Sequence, residues 1–236
     1  MKKLLTFVLS LTSLLTALTV VTAADIASIS LDTGYNNHYV VDGVSYAKQT
    51  PYAGIGAVKS LKYVDVYVGG LYVSDGTKDQ SHWLVGAGKT VSVNKDFGLR
   101  LDGTAIRHQT AASGLPNSTE LSPKLALQND WVTPYIRGSF NLDLHQNGYF
   151  VGAERVQKLP LGFTLTPAVE WGRVTDYDAV HVKGTLARPF TTGFGTVTPF
   201  AEVGWFDNSL QYAKSVYARN MLDNTVVYNA GLRLTF

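Results

Sequence analysis

From about residue 27 to the end of the chain, apolar residues recur at every second position, in segment after segment. Residues 225–236 set Val226, Tyr228, Ala230, Leu232, Leu234 and Phe236 against Thr225, Val227, Asn229, Gly231, Arg233 and Thr235. From Tyr63, the residues Val64, Val66, Val68, Gly70 and Tyr72 alternate with Tyr63, Asp65, Tyr67 and Gly69. A period of two puts successive side chains on opposite faces of a strand, so each segment has one greasy and one polar face. In this part of the chain no apolar run is long enough to cross a bilayer as a helix. The mean hydropathy is near zero because strands hide their apolar residues at alternate positions. Two folds satisfy such strands. In water each greasy face packs against a second layer. In lipid it points outward, and closure into a barrel satisfies the backbone groups that a bilayer cannot hydrate.

The two ends favour lipid. Lys2 and Lys3 precede an apolar stretch from Leu4 to about Val21, and Val21, Thr22 and Ala23 lead into Ala24 and Asp25. That is the anatomy of a secretory signal peptide, cleaved near Ala23; an uncleaved anchor is the alternative. The expected organisation is a signal peptide over 1–23 and one barrel over 24–236. Cleavage removes two lysines and leaves as many Lys and Arg as the 18 Asp and Glu, so the basic balance does not argue for a nucleic-acid partner. The chain has no cysteine, which excludes disulfides and thiolate metal sites. The last strand, ending on Phe236, resembles the terminal strand of Gram-negative outer-membrane barrels. The resemblance implies that Phe236 belongs to the signal read by the barrel assembly machinery.

Alternation marks twelve candidate strands, starting near residues 27, 51, 63, 82, 97, 118, 132, 148, 161, 178, 195 and 225. The connections on one side (36–50, 75–81, 108–117, 144–148, 175–178, 207–224) include the longest, and those on the other (59–62, 94–96, 128–131, 157–160, 189–194) are uniformly short, as in outer-membrane barrels. After cleavage, roughly 18 residues serve each strand and its connection, against the ~9–11 that a tilted strand needs. The fold class is therefore all-β: a closed antiparallel transmembrane β-barrel of about twelve strands, with ten possible. Aromatics are expected as two interface girdles: Tyr35, Tyr72, Trp83, Tyr149, Tyr177 and Trp205 at one end, Phe97, Trp131, Phe163, Phe194 and Phe236 at the other.

Local motifs extend this. The first strand and loop read SLDTGYNNHYVVDGVSY, followed by PYAGIGA and YVDVYVGGLY. Gly43, the Tyr52-Ala53-Gly54 element and Asp65-Val66-Tyr67-Val68-Gly69 occur in the order found in the TorF-type porins of Gram-negative bacteria. The first third of the chain resembles that family of small barrels, except that Asp42 stands where the family often has Arg. The resemblance implies a porin.

The polar faces place Asp65, Arg100, Asp102, Glu120, Lys124, Arg137, Asp143, Glu154, Glu170, Lys183, Glu202 and Arg233 in the lumen. Arg100, Arg137, Glu154 and Glu170 sit centrally in their strands and are the strongest candidates to set selectivity. Mixed charges can pair and fill a narrow barrel or leave a watery channel between opposing walls. The expected function is a small, weakly selective porin-like channel for passive diffusion of hydrophilic solutes or ions. Seven acids against five bases give it a slight cation preference. The alternatives are a non-conducting structural or adhesion barrel and an outer-membrane barrel hydrolase. In the loop from Asp207, Leu210, Ala213, Tyr217 and Met221 stand at helical spacing, which fits either a short helix or a plain surface loop.

Enzymatic chemistry finds little support. A barrel esterase needs a Ser activated by His, yet the residues two positions after each His are Val40, Leu84, Thr110, Asn147 and Lys183. No adjacent aspartates suit an aspartate-pair protease. His145-Gln146-Asn147-Gly148 reads as a polar Asn-Gly hairpin beside Asp143. His38, His82, His108, His145 and His181 map to loops or strand ends with no close pair, so no metal is expected. Nor is a cofactor. The expected partners are outer-membrane lipid, the assembly machinery and small solutes or ions.

Overall fold

The computed structural model describes residues 28–41, 44–74, 79–110, 117–175, 177–210 and 224–236. They form one fourteen-stranded antiparallel sheet. Its strands are β1 (Ser28–Val41), β2 (Val44–Ser60), β3 (Asp65–Ser74), β4 (Asp79–Ser92), β5 (Gly98–Thr110), β6 (Ser118–Gln128), β7 (Thr133–Asn141), β8 (Gln146–Glu154), β9 (Gln157–Lys158), β10 (Thr164–Val174), β11 (Tyr177–Ala187), β12 (Phe190–Thr192), β13 (Gly195–Leu210) and β14 (Thr225–Thr235). Strands β9 and β12 are short ribbons added to β10 and β13. The other twelve each pair with their neighbours, and β1 pairs with β14, so the sheet closes into a barrel. Backbone bonds of 3.3 and 2.9 Å between Ile29 and Phe236 finish the seam. The end at which these residues meet is the near end, and the opposite one is the far end.

Closure leaves no free edge among the twelve, which is the condition for burying strand backbone in hydrocarbon. The outward face carries the greasy set. Val68, Val85, Leu101, Ile136, Val151, Val169, Val203 and Leu232, near the middle of eight strands, are 48–56% exposed. A belt of that size is far beyond the apolar patches that a water-soluble monomer tolerates. Tyr35, Tyr72, Trp83 and Tyr149 are exposed toward the far end, and Phe97, Trp131, Phe194 and Phe236 at the near end.

Local chemistry explains the near-end turns. Asn94 Oδ1 accepts from the backbone N–H groups of Asp96 and Phe97, at 2.9 Å each. Asn129 Oδ1 does the same for Trp131 and Val132, at 2.8 and 3.0 Å. A short amide that mimics a peptide carbonyl is why Asn favours such turns.

Several expectations need correction. The connection at 36–50 is largely strand: β1 and β2 stay paired out to Val41 and Val44, with an irregularity between Tyr39 and Val40. The connection at 157–160 is no plain turn, since β9 and a 3-10 turn (Pro160–Gly162) precede β10. Asn147-Gly148 makes no hairpin turn; both residues pair within the ladder, opposite Phe140 and Ser139. The left-handed position there is His145 (φ 54°). Tyr177 is no girdle residue. The tight β10–β11 connection turns it inward, where it is buried with Phe150, Val174 and Ala179. Strand β13 runs through Leu210, and the helical spacing beyond it lies outside the described residues, as does the signal peptide.

Candidate channel lumen

Register fixes which side chains share the inner wall. Asp32 stands opposite Arg233, Lys124 opposite Arg137, and His82 opposite His108. Directly opposed residues in an antiparallel pair point to the same face. Eleven of the twelve residues expected in the lumen lie on this face: Asp65, Arg100, Asp102, Glu120, Lys124, Arg137, Glu154, Glu170, Lys183, Glu202 and Arg233. Asp143 does not. It lies in the β7–β8 turn, where its carboxylate takes the backbone N–H of Thr119 and pairs with Arg107 at 3.1 Å, both on the outer side of the wall.

The wall charges are mostly spent on one another. Arg137 grips Glu170 with two bonds of 2.7 Å, although β8 lies between their strands. Gly152 makes that possible, because on β8 it stands opposite both Glu170 and Tyr135. Having no side chain, it lets Tyr135 lie over it and donate to Glu170 at 3.1 Å. His181 Nδ1 completes the carboxylate's surroundings at 3.4 Å, and the Arg137 guanidinium rests on the Phe150 ring at 3.8 Å. Nearer the near end, Arg100 holds Asp102 through two bonds of 2.8 Å. Lys124 meets Glu154 at 3.6 Å and lies over the Tyr135 ring at 4.0 Å. Arg233 meets Asp32 at 2.7 Å. Bidentate guanidinium–carboxylate pairs fix geometry as well as charge, so Arg100 with Asp102 and Arg137 with Glu170 are held rather than swinging in the lumen.

A cavity of about 1060 Å³ opens along the inner wall. Lys124, Arg137, Glu154, Lys183, Glu202 and Arg233 are among its lining residues. Toward the far end inward side chains pack closely, although the cavity also touches His38, Tyr39, His181 and Phe206 there. Thr50, Gln80, His82, His108, Ser118, Glu120, His181 and Asn208 are buried polar side chains there, wedged with Val73, Phe150 and Tyr177.

Sequence reasoning missed this polar core. His82 Nδ1 and His108 Nδ1 are 2.7 Å apart, and His108 Nε2 lies 3.3 Å from Glu120. A pair of ring nitrogens at that distance shares one proton, with one ring donating and the other accepting. The Tyr39 ring reaches in from β1 to within 4.9 Å of His82. Both histidines alternate with outward neighbours, Trp83 and Arg107, so parity put them inside; only the β4–β5 register makes them partners. Asp32 was also missed, and its alternation with Leu31 and Thr33 was the available signal. Among the described residues no group of three or more His, Asp or Glu is placed to hold a metal ion.

No family model matches the chain, and no curated protein is similar to it in sequence. Solved structures are. The KdgM porin in complex with disordered oligogalacturonate superimposes with a TM-score of 0.59 at 10% identity, covering 89% of this chain and 99% of that one. The NanC porin does so with a TM-score of 0.58 at 12% identity, covering 87% and 98%. The chain folds as these porins do. At such identities the likeness is one of architecture: a porin-type barrel of twelve strands, spanning nearly the whole of each relative. The finer resemblance to TorF-type porins rests on the sequence motifs alone.

Proposed function

We propose that this chain is a bacterial outer-membrane channel for passive diffusion of small hydrophilic solutes or ions. The observation that carries the proposal is the cavity of about 1060 Å³, whose lining sets charged side chains such as Lys124, Arg137, Glu154, Lys183, Glu202 and Arg233 among apolar and small residues, inside a closed barrel whose outer belt is apolar. In this reading the belt meets outer-membrane lipid, the near end faces the periplasm, and the assembly machinery reads the β14 strand ending at Phe236. The eleven expected inward residues, with Asp32, line the path and act by steric and electrostatic filtering, without covalent chemistry. The TorF-type resemblance of the first third points the same way.

One similar porin is a complex with oligogalacturonate, an acidic sugar chain. The wall of this barrel is not built for such cargo. Arg100, Lys124, Arg137 and Arg233 each hold a carboxylate, so the wall offers no continuous cationic track.

The packed far end favours a second reading, a barrel that conducts almost nothing. Single-channel recording of the refolded mature chain under a salt gradient separates the two. Discrete steps with a measurable reversal potential support the channel. A correctly inserted, silent barrel overturns it and leaves the structural reading.

A further inference from the structure

Most inward charges of this barrel have partners on the wall, and two in the cavity stand apart from that pattern. Lys183 on β11 is exposed into the cavity. Its cross-strand neighbours are Ala168 on β10 and Gly204 on β13. Neither brings a functional group, and Lys183 makes no ion pair among the described residues. Glu202 lies on β13, one step nearer the near end, opposite Thr185 and Asn229. Thr185 Oγ1 donates to its Oε2 at 2.8 Å, and among the described residues its second oxygen has no hydrogen bond. Register makes Lys183 and Glu202 diagonal neighbours, a relation that sets Cα atoms about 7–8 Å apart. Ala168 adds only a methyl beside Lys183 and the Phe206 ring lies over Gly204, so Ala168, Lys183, Glu202 and Phe206 border a bay of the cavity around the ammonium.

We propose that this bay is a binding subsite for small zwitterions, solutes carrying both an ammonium and a carboxylate, which lie between Lys183 and Glu202. The assignment rests on the channel reading for access from solution and deepens it by naming a solute class. Lys183 takes the carboxylate of the guest and Glu202 its ammonium, so both ends gain a charged partner at once. A simple anion gains Lys183 but meets the like charge of Glu202, and a simple cation meets the reverse. Discrimination therefore comes from repulsion as much as attraction. The paired charges elsewhere on the wall already have partners and leave this bay to set the preference.

The test uses the refolded full-length mature barrel in detergent and three probes of similar size: glycylglycine, N-acetylglycine and glycylglycinamide. Saturation-transfer NMR titrations at neutral pH measure their affinities. The expected result is tighter binding of glycylglycine by about fivefold over each singly charged probe. Lys183→Gln then shifts the preference to glycylglycinamide, and Glu202→Gln shifts it to N-acetylglycine. Equal binding of all three probes overturns the proposal, as does a zwitterion preference that survives both substitutions. Heat-dependent gel mobility reports whether each variant closes its barrel, and the three-probe comparison on the unmutated chain stands without them. Conductance is recorded separately. A silent barrel that prefers glycylglycine sinks the channel and keeps the subsite; a conducting barrel without the preference does the opposite.

Discussion

The two halves of the lumen are built from the same strands and the same alternation, yet they solve opposite problems. In the far half, inward side chains of β2–β8 exclude water, with Phe150, His108, Gln80, Val73, Thr50 and Ser118 all less than 2% exposed, while the cavity reaches the far ends of β1, β11 and β13. Polar groups there must find protein partners, as His82, His108 and Glu120 do in sequence. Toward the near end the inward side chains border open volume, and pairs such as Arg233–Asp32 stay half-exposed. The contrast teaches that inward-facing and solvent-facing are separate properties in a narrow barrel. Side-chain bulk decides between them, and the aromatic and imidazole rings gather on the far side.

Substitutions sharpen this contrast, and the largest effects belong to the packed side. Glu170→Ala strands Arg137 and His181 in a mostly buried site, and loss of one partner from a buried pair costs about 3–5 kcal/mol. Reversible urea unfolding in lipid vesicles measures it; a loss under 1 kcal/mol breaks the comparison. Phe150→Ala removes a fully buried ring, with a similar expected loss of about 3–5 kcal/mol. It opens the far half, so the channel reading expects its conductance to rise, and an unchanged conductance places the constriction elsewhere. Leu101→Arg puts a cation in the middle of the lipid belt and should cost about 2–4 kcal/mol in the same assay; a neutral outcome contradicts the belt. Tyr67→Phe deletes the 2.8 Å bond to Thr104 for about 0.5–1.5 kcal/mol. Asp32→Asn weakens a pair on the wet side, where the expected change is about 0–1 kcal/mol. If Asp32→Asn costs as much as Glu170→Ala, the two halves do not differ as described.

Much of the fold was legible because strand alternation needs only the chain itself. Strand positions, the outer belt and the inward parity of Arg137, Glu170 or Lys183 all follow from counting by twos. What alternation does not contain is which residue lies opposite which. The His82–His108 contact and the Arg137–Glu170 grip depend on the register between strands and on Gly152 standing opposite Tyr135. Arg100, Arg137, Glu154 and Glu170 were expected to set selectivity from their central positions, yet each is tied to an opposite charge. Asp143 and Tyr177 went astray at strand ends, where one residue of turn geometry flips the face that a side chain presents.

The inward ring of Tyr52 has a consequence for how the barrel is made. Tyr52 stands opposite Gly34 on β1, and its hydroxyl reaches Gly231 on β14, so the side chain lies across the seam between the first and last strands. A Cβ added at Gly34 would come within 2.7 Å of that hydroxyl, and one at Gly231 within 2.9 Å. Sliding β14 by two residues brings Asn229 or Arg233 to the place of Gly231, and the ring collides with a side chain. The Tyr52 ring therefore keys the seam: β14 lies flush against β1 in the one alignment that sets Gly34 and Gly231 beneath it.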